Sequence, residues 1–163
     1  MKKKILVIGA NGFTGRRVLN DLSRNDEYIV TGCSLHDDIA PGSGNYHFIS
    51  ANVCQMGEQA ALFREVRPNV VINASALSVP DYCETHREEA ESINITAVGQ
   101  FAFRCEVSGA RFIHLSTDFV FSGDSGQLYT EADTPAPVNY YGVTKLKGEQ
   151  RVAELCNNYA IIR

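Results

Sequence analysis

Apolar and polar positions follow one another along the chain in two regular ways. A continuous apolar run at residues 5–8 is flanked by lysines and stops at Gly9, which is typical of a strand buried on both faces of a sheet. Behind the glycines, apolar residues recur at helical spacing from residue 13 to residue 22 and predict the first helix. Further strands are predicted at 28–33, 46–51, 69–74, 111–116 and 159–163, and further helices at 57–66, 88–108 and 140–157.

This order of elements predicts an α/β fold with a doubly wound parallel sheet. Strands that are separated by helices are joined by right-handed crossovers, which place helices on both faces of the sheet. In such sheets, ligands bind at the carboxyl ends of the strands. Residues 1–163 are expected to form one domain with this Rossmann-type sheet.

Composition and charge exclude several classes of protein. With 44% hydrophobic residues the chain can bury a core, and its formal net charge of −4 argues against nucleic acid as a partner. No apolar stretch approaches the roughly 18 residues of a membrane span, so no membrane association is predicted. The five cysteines are scattered, with no CxxC pair and no signal-peptide pattern before them. A cytoplasmic protein without a metal site is therefore expected.

Gly9, Gly12 and Gly15 follow the first strand at three-residue spacing and open the first helix. A dinucleotide-binding turn requires this context. The first glycine permits the tight turn, the second lets the backbone approach a pyrophosphate, and the third lets helix and strand pack closely. The free N–H groups at the start of the helix attract the anion. A glycine-rich turn without a ligand is the alternative.

The end of the second strand bears on the choice of cofactor. A carboxylate about 20 residues beyond the glycines usually binds the adenosine ribose, but Ser34 lies in this region, and Asp37 and Asp38 come somewhat late. Arg16 and Arg17 could instead meet a 2′-phosphate, which favours NADP and leaves NAD possible. The alternative is that both arginines are solvated helix charges.

Tyr141 and Lys145 are four residues apart at the start of a predicted helix, so both side chains project from one face. A phenol with a pKa near 10 needs about 4 kcal/mol of preferential phenolate stabilisation to titrate about three units lower, and a fixed ammonium supplies it. Spacing selects Tyr141 over Tyr140, which is four residues before Thr144. A solvent-facing aromatic-lysine pair is the alternative origin.

Small and hydroxyl-bearing residues end two further strands. Ser116-Thr117-Asp118 follows the strand at 111–116, where a hydroxyl could hydrogen-bond a reacting carbonyl oxygen. Asn73-Ala-Ser-Ala76 ends the preceding strand and allows a flat ligand to approach. Each segment alone also fits an ordinary strand-end turn. All of these segments are expected at the same edge of the sheet.

Four segments together carry a family resemblance. They are Gly9-Ala-Asn-Gly12-Phe-Thr-Gly15, Asn73-Ala-Ser-Ala76, Ser116-Thr-Asp-Phe-Val-Phe121 and Pro135-Ala-Pro-Val-Asn-Tyr-Tyr141-Gly-Val-Thr-Lys145-Leu-Lys-Gly-Glu149. In this order they resemble the extended short-chain dehydrogenase/reductase family, and within it the dTDP-4-dehydrorhamnose reductases. The resemblance implies NAD(P)H-dependent reduction of a nucleotide-activated 4-keto-6-deoxysugar. Tyr141 would protonate the keto oxygen, Lys145 would hold the nicotinamide ribose and lower the tyrosine pKa, and Thr117 would orient the carbonyl.

The resemblance also implies the binding residues. The cofactor would contact the glycine turn, the ends of the second to fourth strands and the tyrosine-lysine pair, namely Gly9, Asn11, Gly12, Phe13, Gly15, Ser34, Asn52, Val53, Ala74, Ser75, Ala76, Tyr141 and Lys145. Asn52 stands where the family usually has aspartate. Thr117, Asp118 and Phe119 would contact the nucleotide-sugar. Related dehydratases carry Asp-Glu after the threonine, and because Phe119 cannot transfer protons, reduction is favoured over dehydration.

Two other functions remain open. The glycine turn followed by arginine, and Gly32-Cys33 at the end of the second strand, also resemble the regulatory beta subunit of methionine adenosyltransferase, which binds NADP without needing turnover. A sugar-nucleotide epimerase is a third possibility. The family's carboxyl-terminal substrate lobe is expected to lie beyond Arg163. This chain by itself is therefore not expected to reduce the sugar. Without the lobe, apolar surface at the ligand-binding edge of the sheet would be uncovered, which allows a homodimer.

Overall fold

The computed structural model describes residues 1–39, 41, 44–124, 126 and 128–163, whose strands form one six-stranded sheet. The strands are β1 (Lys3–Ile8), β2 (Tyr28–Ser34), β3 (Tyr46–Ser50), β4 (Val70–Asn73), β5 (Arg111–Leu115) and β6 (Tyr159–Ile162). All neighbours pair in parallel, in the order β3-β2-β1-β4-β5-β6. The predicted doubly wound, Rossmann-type sheet is confirmed.

The described part of the chain contains six α-helices. They are α1 (Phe13–Leu22), α2 (Met56–Val66), α3 (Pro80–Thr85), α4 (Arg87–Glu91), α5 (Ala97–Ser108) and α6 (Tyr140–Leu155). A π-helical turn, Ser92–Thr96, joins α4 to α5, so the predicted helix at 88–108 contains a change of helix type. The sequence did not predict α3, nor a 3-10 turn at Asp118–Val120, because neither element is long enough to show a periodic pattern.

Alternate residues of β1 enter the cores on opposite faces of the sheet. Leu6 and Ile8 belong to the cluster that packs against α2, α5 and α6, whereas Ile5 and Val7 belong to the cluster on the α1 side. Side chains of a strand point alternately to the two faces. Burial on both faces therefore explains why residues 5–8 are continuously apolar, as predicted.

The carboxyl ends of the strands meet along one edge, which we call the rim. It comprises residues 9–15 after β1, 34–39 after β2, 51–54 after β3, 74–79 after β4 and 116–121 after β5, together with the start of α6. In a doubly wound sheet this edge binds ligands. With the exception of Arg17, the residues that the sequence singled out for chemistry lie on the rim or directly behind it.

Within the described ranges, no helix is long and apolar enough to cross a membrane. No three histidine, cysteine, aspartate or glutamate side chains of those residues are grouped as a metal site would require. All five cysteines are free. Burial raises the pKa of Cys33 to about 12, with a further contribution from the charge of Glu58, and keeps this thiol protonated at neutral pH.

Candidate functional site

The glycine turn packs directly against the loop that follows β4. Gly9 has φ +77°, and a Cβ there would lie 2.6 Å from the amide nitrogen of Ser75. A Cβ on Gly15 would lie 2.1 Å from the carbonyl oxygen of Gly9, so α1 approaches the turn more closely than any side chain allows. Gly12 caps α1 without a side-chain hydrogen bond, which leaves the helix N-terminus open to an anion.

Asn11 joins the glycine turn to the loop after β2. Its backbone N–H donates to Ser34 Oγ at 3.1 Å, and its Nδ2 donates to the carbonyl oxygens of His36 and Asp37 at 3.2 and 3.0 Å. Two predicted cofactor residues, Asn11 and Ser34, are thus in direct contact. They hold together the two loops between which the adenosine of a dinucleotide would lie.

A carboxylate reaches this part of the rim, contrary to the expectation from the sequence. Asp38 lies late in the chain, but its Oδ1 is 2.6 Å from Nη2 of Arg16, and its Oδ2 accepts from the hydroxyl of Tyr46 at 2.6 Å. Arg17, in contrast, is exposed and pairs with Asp21 at 2.7 Å. Arg16 therefore lies in the site with an acidic partner, whereas the position of Arg17 fits the alternative of a solvated helix charge.

The segment after β3 is held by α2. Asn52 donates its backbone N–H to Glu58 Oε2 at 2.6 Å and accepts from the amide of Cys54 at 3.0 Å, while the carbonyl of Val53 accepts from Gln59 Nε2 at 2.5 Å. Asn52 and Val53 therefore occupy a fixed turn next to the loop after β2. This is where the family resemblance expects the adenine.

The loop 74–76, which contains three of the predicted cofactor residues, is fixed at both ends. Asn73 Oδ1 accepts from the backbone N–H and the hydroxyl of Ser75 at 3.1 and 2.7 Å. Asn94, from the π-helical turn, accepts from the amide of Leu77 at 2.9 Å and donates to its carbonyl oxygen at 3.0 Å. The sequence did not predict a role for Asn94, because it belongs to no recognisable motif. Its place in a π-helical turn is the structural signal, since such turns are frequent at functional sites.

Thr117 and Tyr141 come together where β5 ends and α6 begins. Thr117 caps the 3-10 turn by accepting from the amide of Phe119 at 3.2 Å, and its hydroxyl donates to Asp118 Oδ1 at 3.1 Å. Its side chain lies next to that of Tyr141 and affects the tyrosine pKa. Phe119 packs edge-on against Tyr141 with ring centroids 5.7 Å apart. A Cβ on Gly142 would lie 2.3 Å from the carbonyl oxygen of Phe119, so only glycine permits this approach.

The electrostatics of Tyr141 differ from the expectation. Burial raises the pKa of Tyr141, Asp118 and Cys83 add to the effect, and the hydrogen bond from Thr117 opposes it. The ammonium of Lys145 was expected to lower this pKa, but its Nζ donates to the carbonyl oxygen of Leu115 at 2.6 Å instead. In this structure the phenol is therefore protonated at neutral pH.

Lys145 is 1% exposed. Its Nζ lies 3.4 Å from His114 Nε2, and burial lowers its pKa to about 8, with partial compensation from Glu149. Glu149 is itself buried, accepts from Arg163 at 2.7 Å and from the hydroxyl of Ser116. The sequence did not predict a role for His114 or Glu149. The signal for His114 is a histidine inside an apolar strand, and the signal for Glu149 is an acid four residues after Lys145.

The structure separates the two adjacent tyrosines. The hydroxyl of Tyr140 donates to Glu91 at 2.6 Å, and the guanidinium of Arg87 lies 4.5 Å from its ring centroid. Tyr140 is thus tied to α4, whereas Tyr141 lies beside Thr117.

Several apolar side chains are exposed along the rim. Phe13, at the start of α1, is 97% exposed, and Phe119 is 44% exposed. Phe13 and Phe119 are residues that the resemblance assigns to cofactor and substrate.

Residues 2–163 match the protein-family model described as "RmlD substrate binding domain". The chain belongs to this family. Curated relatives of the RmlD-family chain include dTDP-4-dehydrorhamnose reductase of Burkholderia thailandensis, 34% identical over 98% of this chain and 49% of that protein. They also include methionine adenosyltransferase 2 subunit beta of Bos taurus, 31% identical over 99% of this chain and 46% of that protein.

Solved structures agree with the assignment to the RmlD family. The crystal structure of dTDP-4-dehydrorhamnose reductase from Bacillus anthracis in complex with NADP matches with a TM-score of 0.84 and 30% sequence identity. The match covers 99% of this chain and 52% of that chain. The RmlD-family chain thus spans about half the length of the relatives it matches, and it is an extended short-chain dehydrogenase/reductase by sequence and fold.

Proposed function

We propose that this chain binds NADP(H) along the rim and carries the proton-transfer residues of a reductase that acts on a nucleotide-activated 4-keto-6-deoxysugar. Thr117, Tyr141 and Lys145 are the catalytic residues. The observation that carries the proposal is their placement. Thr117 contacts Tyr141 at the end of β5, with Lys145 one turn further along α6, on the same rim as the glycine turn.

The glycine turn fits the pyrophosphate of a dinucleotide. A Cβ at Gly9 would collide with the loop 74–76, and α1 begins without a side-chain cap, so backbone N–H groups face the rim. Asn11, Ser34 and the Arg16–Asp38 pair surround the adenosine end, where a cation suits a 2′-phosphate and a carboxylate suits a ribose diol. NADP is the cofactor proposed, and NAD remains the alternative.

Tyr141 donates the proton in the proposed reduction. A bound NADPH supplies the hydride. Because the pKa of Tyr141 is raised, its hydroxyl is protonated at neutral pH and ready to donate to the keto oxygen as negative charge develops there. Thr117 lies beside the phenol and would orient the keto oxygen, and Asp118 and Phe119 border the place where the sugar would lie.

Lys145 contributes from beneath the rim. Its contact with the carbonyl of Leu115 fixes the amine at the carboxyl end of β5, where a second N–H can reach the ribose of the cofactor. We expect the contact between Lys145 and the ribose to orient the cofactor. In the free protein we do not expect Lys145 to lower the pKa of Tyr141.

A comparison of two adjacent tyrosines tests the reductase proposal. dTDP-4-dehydrorhamnose-dependent oxidation of NADPH is measured for the protein in its natural length. Tyr141→Phe removes the proton donor and should lower kcat by about 10²–10⁴-fold, while leaving NADPH affinity within about twofold. Tyr140→Phe, whose hydroxyl contacts Glu91, should retain normal kcat. Equal turnover by the Tyr141→Phe variant and the parent would remove Tyr141 from the mechanism.

A regulatory subunit that binds NADP is the second candidate. It is favoured by the match to methionine adenosyltransferase 2 subunit beta, which is 31% identical over 99% of this chain and 46% of that protein. The same assay separates the two. A protein that binds NADPH but shows no sugar-dependent oxidation, with or without Tyr141, supports the regulatory function.

A further inference from the structure

A chain of buried polar side chains connects the loop 74–76 to Lys145, and His114 within this chain has no role in the proposed reaction. His114, on β5, is fully buried. Its Nδ1 lies 3.2 Å from Asn73 Nδ2, and its Nε2 lies 3.4 Å from Lys145 Nζ. Asn73, also fully buried, contacts Ser75 in the loop 74–76.

Ser75 determines which way the Asn73 amide points. Asn73 Oδ1 lies 3.1 Å from the backbone nitrogen of Ser75, and a backbone N–H can only donate. The atom facing it must therefore be the amide oxygen. The amide nitrogen is then the atom that faces His114, and it donates to Nδ1.

The orientation of Asn73 in turn fixes the tautomer of His114. The pKa of His114 is lowered to about 3, mainly by burial, so the ring is neutral at physiological pH. A neutral imidazole has one acceptor nitrogen and one N–H. Since Nδ1 accepts from Asn73, the hydrogen is on Nε2 and points at the amine of Lys145.

This hydrogen opposes the charged form of Lys145. An ammonium group has three N–H donors and no lone pair, so it cannot accept from Nε2–H. A neutral amine can accept from His114 while it donates to the carbonyl oxygen of Leu115, which lies 2.6 Å away. All contacts along the chain from Ser75 to Leu115 are satisfied only when Lys145 is neutral.

We propose that His114, held by Asn73 with its hydrogen on Nε2, is a positioning residue that sets the protonation state of Lys145. The contact makes the ammonium easier to deprotonate, so the charge that Lys145 offers to a cofactor depends on pH near neutrality. Its importance for turnover rests on the proposed function, but the titration of Lys145 does not.

Other titratable groups act on the same end of α6. Glu149, one turn along the helix, favours the ammonium, and it is itself paired with Arg163. Tyr141 lies one turn before Lys145 and is protonated, with Asp118 and Cys83 facing it from the 3-10 turn and from α3. Among the described residues, Glu149 is the charge that favours the ammonium, and burial acts against it, as the proposed contact with His114 also would.

The tautomer can be measured directly in the parent protein by ¹⁵N NMR of the imidazole nitrogens at pH 7. We expect the shifts of a neutral ring with hydrogen on Nε2. Hydrogen on Nδ1, or a doubly protonated ring, overturns the proposal. This measurement needs no variant and no turnover, so it is independent of whether the protein is a reductase.

His114→Gln tests the consequence for Lys145. Its amide oxygen can face the ammonium as an acceptor, so Lys145 should bind its proton at least about tenfold more tightly. The readout is the pH titration of the Lys145 Cε–Hε signal, assigned with Lys145→Arg. Thr144→Val is the matched control, because it removes a buried hydroxyl of α6 that bonds to Asn94 rather than to Lys145.

The two variants separate positioning from packing. Thr144→Val should leave the Lys145 midpoint where the parent has it. If folded His114→Gln also leaves the midpoint unchanged, His114 only fills space and the proposal is wrong. Should His114→Gln not fold, the tautomer of the parent decides. NADPH binding to the parent protein is measured in parallel. A parent that binds no NADPH would contradict the proposed function without affecting the result for His114 and Lys145.

Discussion

Arg16 and Arg17 are adjacent in α1, but their side chains have different partners. Arg16 is largely buried and contacts Asp38, Asn11 and Tyr46, whereas Arg17 is exposed and pairs with Asp21 one helical turn away. An exposed ion pair contributes little to binding or stability, but a desolvated guanidinium can recognise a phosphate strongly. The two residues are therefore a matched pair for testing cofactor choice.

Arg16→Ala should reduce the preference for NADPH over NADH by about tenfold, because the 2′-phosphate loses its cation. Arg17→Ala should leave the ratio of the two affinities unchanged. Both affinities are measured by calorimetry for the parent and the two variants. A clear preference of the parent for NADH would show that Asp38, rather than Arg16, governs the adenosine end.

His114 predicts a specific dependence of stability on pH. Its pKa is about 3 in the folded chain against an ordinary 6.5, so between these values the unfolded chain binds a proton that the folded chain does not. The free energy of unfolding should therefore fall as the pH drops below about 6.5. The His114 contribution between pH 7 and pH 4.5 is on the order of 2–3 kcal/mol.

Urea unfolding of the parent and of His114→Gln at both pH values isolates this contribution, since carboxylates act equally in the two proteins. The parent should lose more stability than the variant on acidification. An equal loss would mean that His114 is protonated without cost in the folded state.

Among the helices and strands, α1 comes closest to the turn after β1, where Gly15 lies against the backbone of Gly9. Gly15→Ala would place a Cβ 2.1 Å from the carbonyl oxygen of Gly9, and rigid backbone cannot yield as a side chain does. The better helix propensity of alanine, about 1 kcal/mol, is outweighed, and we expect a net loss of about 2 kcal/mol or more.

Gly57→Ala is the matched control for this prediction, because a Cβ at that position of α2 meets nothing within 4 Å. Its free energy of unfolding should change by less than about 1 kcal/mol. If Gly15→Ala were as stable as Gly57→Ala, α1 would have room to move away from β1, and the tight turn would not be required.

The strands and long helices were predictable from the sequence because each carries its own apolar pattern. Their predicted bounds lie within two residues of those observed when the continuous run from Arg87 to Ser108 is counted as one helical stretch. The π-helical turn was not. It is selected by tertiary contacts: Asn94 binds Leu77, and only a glycine at position 148 lets α6 approach the carbonyl oxygen of Asn94, to which a Cβ would be 2.4 Å. Such contacts leave no periodic signal in the chain.

At the scale of the whole molecule, parallel topology made the site predictable in outline. Strand-end motifs far apart in sequence meet at one edge because all strands run the same way, so Gly9 lies against Ser75 as the fold class requires. Individual partners were not predictable. Asp38 returns to Arg16 across 22 residues, and His114 lies against Lys145 across 31, and neither spacing belongs to a local pattern.

Whether the rim holds a dinucleotide is decided most directly by calorimetric titration of NADPH into the 163-residue chain. We predict saturable binding of one NADPH per chain, and loss of that binding in Gly12→Val, whose side chain would occupy the N-terminus of α1, where the proposed site would hold the pyrophosphate. Circular dichroism establishes that both proteins are folded. A folded parent that binds no NADPH or NADH, or a Gly12→Val variant that binds as tightly as the parent, would contradict the assignment of the rim as the cofactor site.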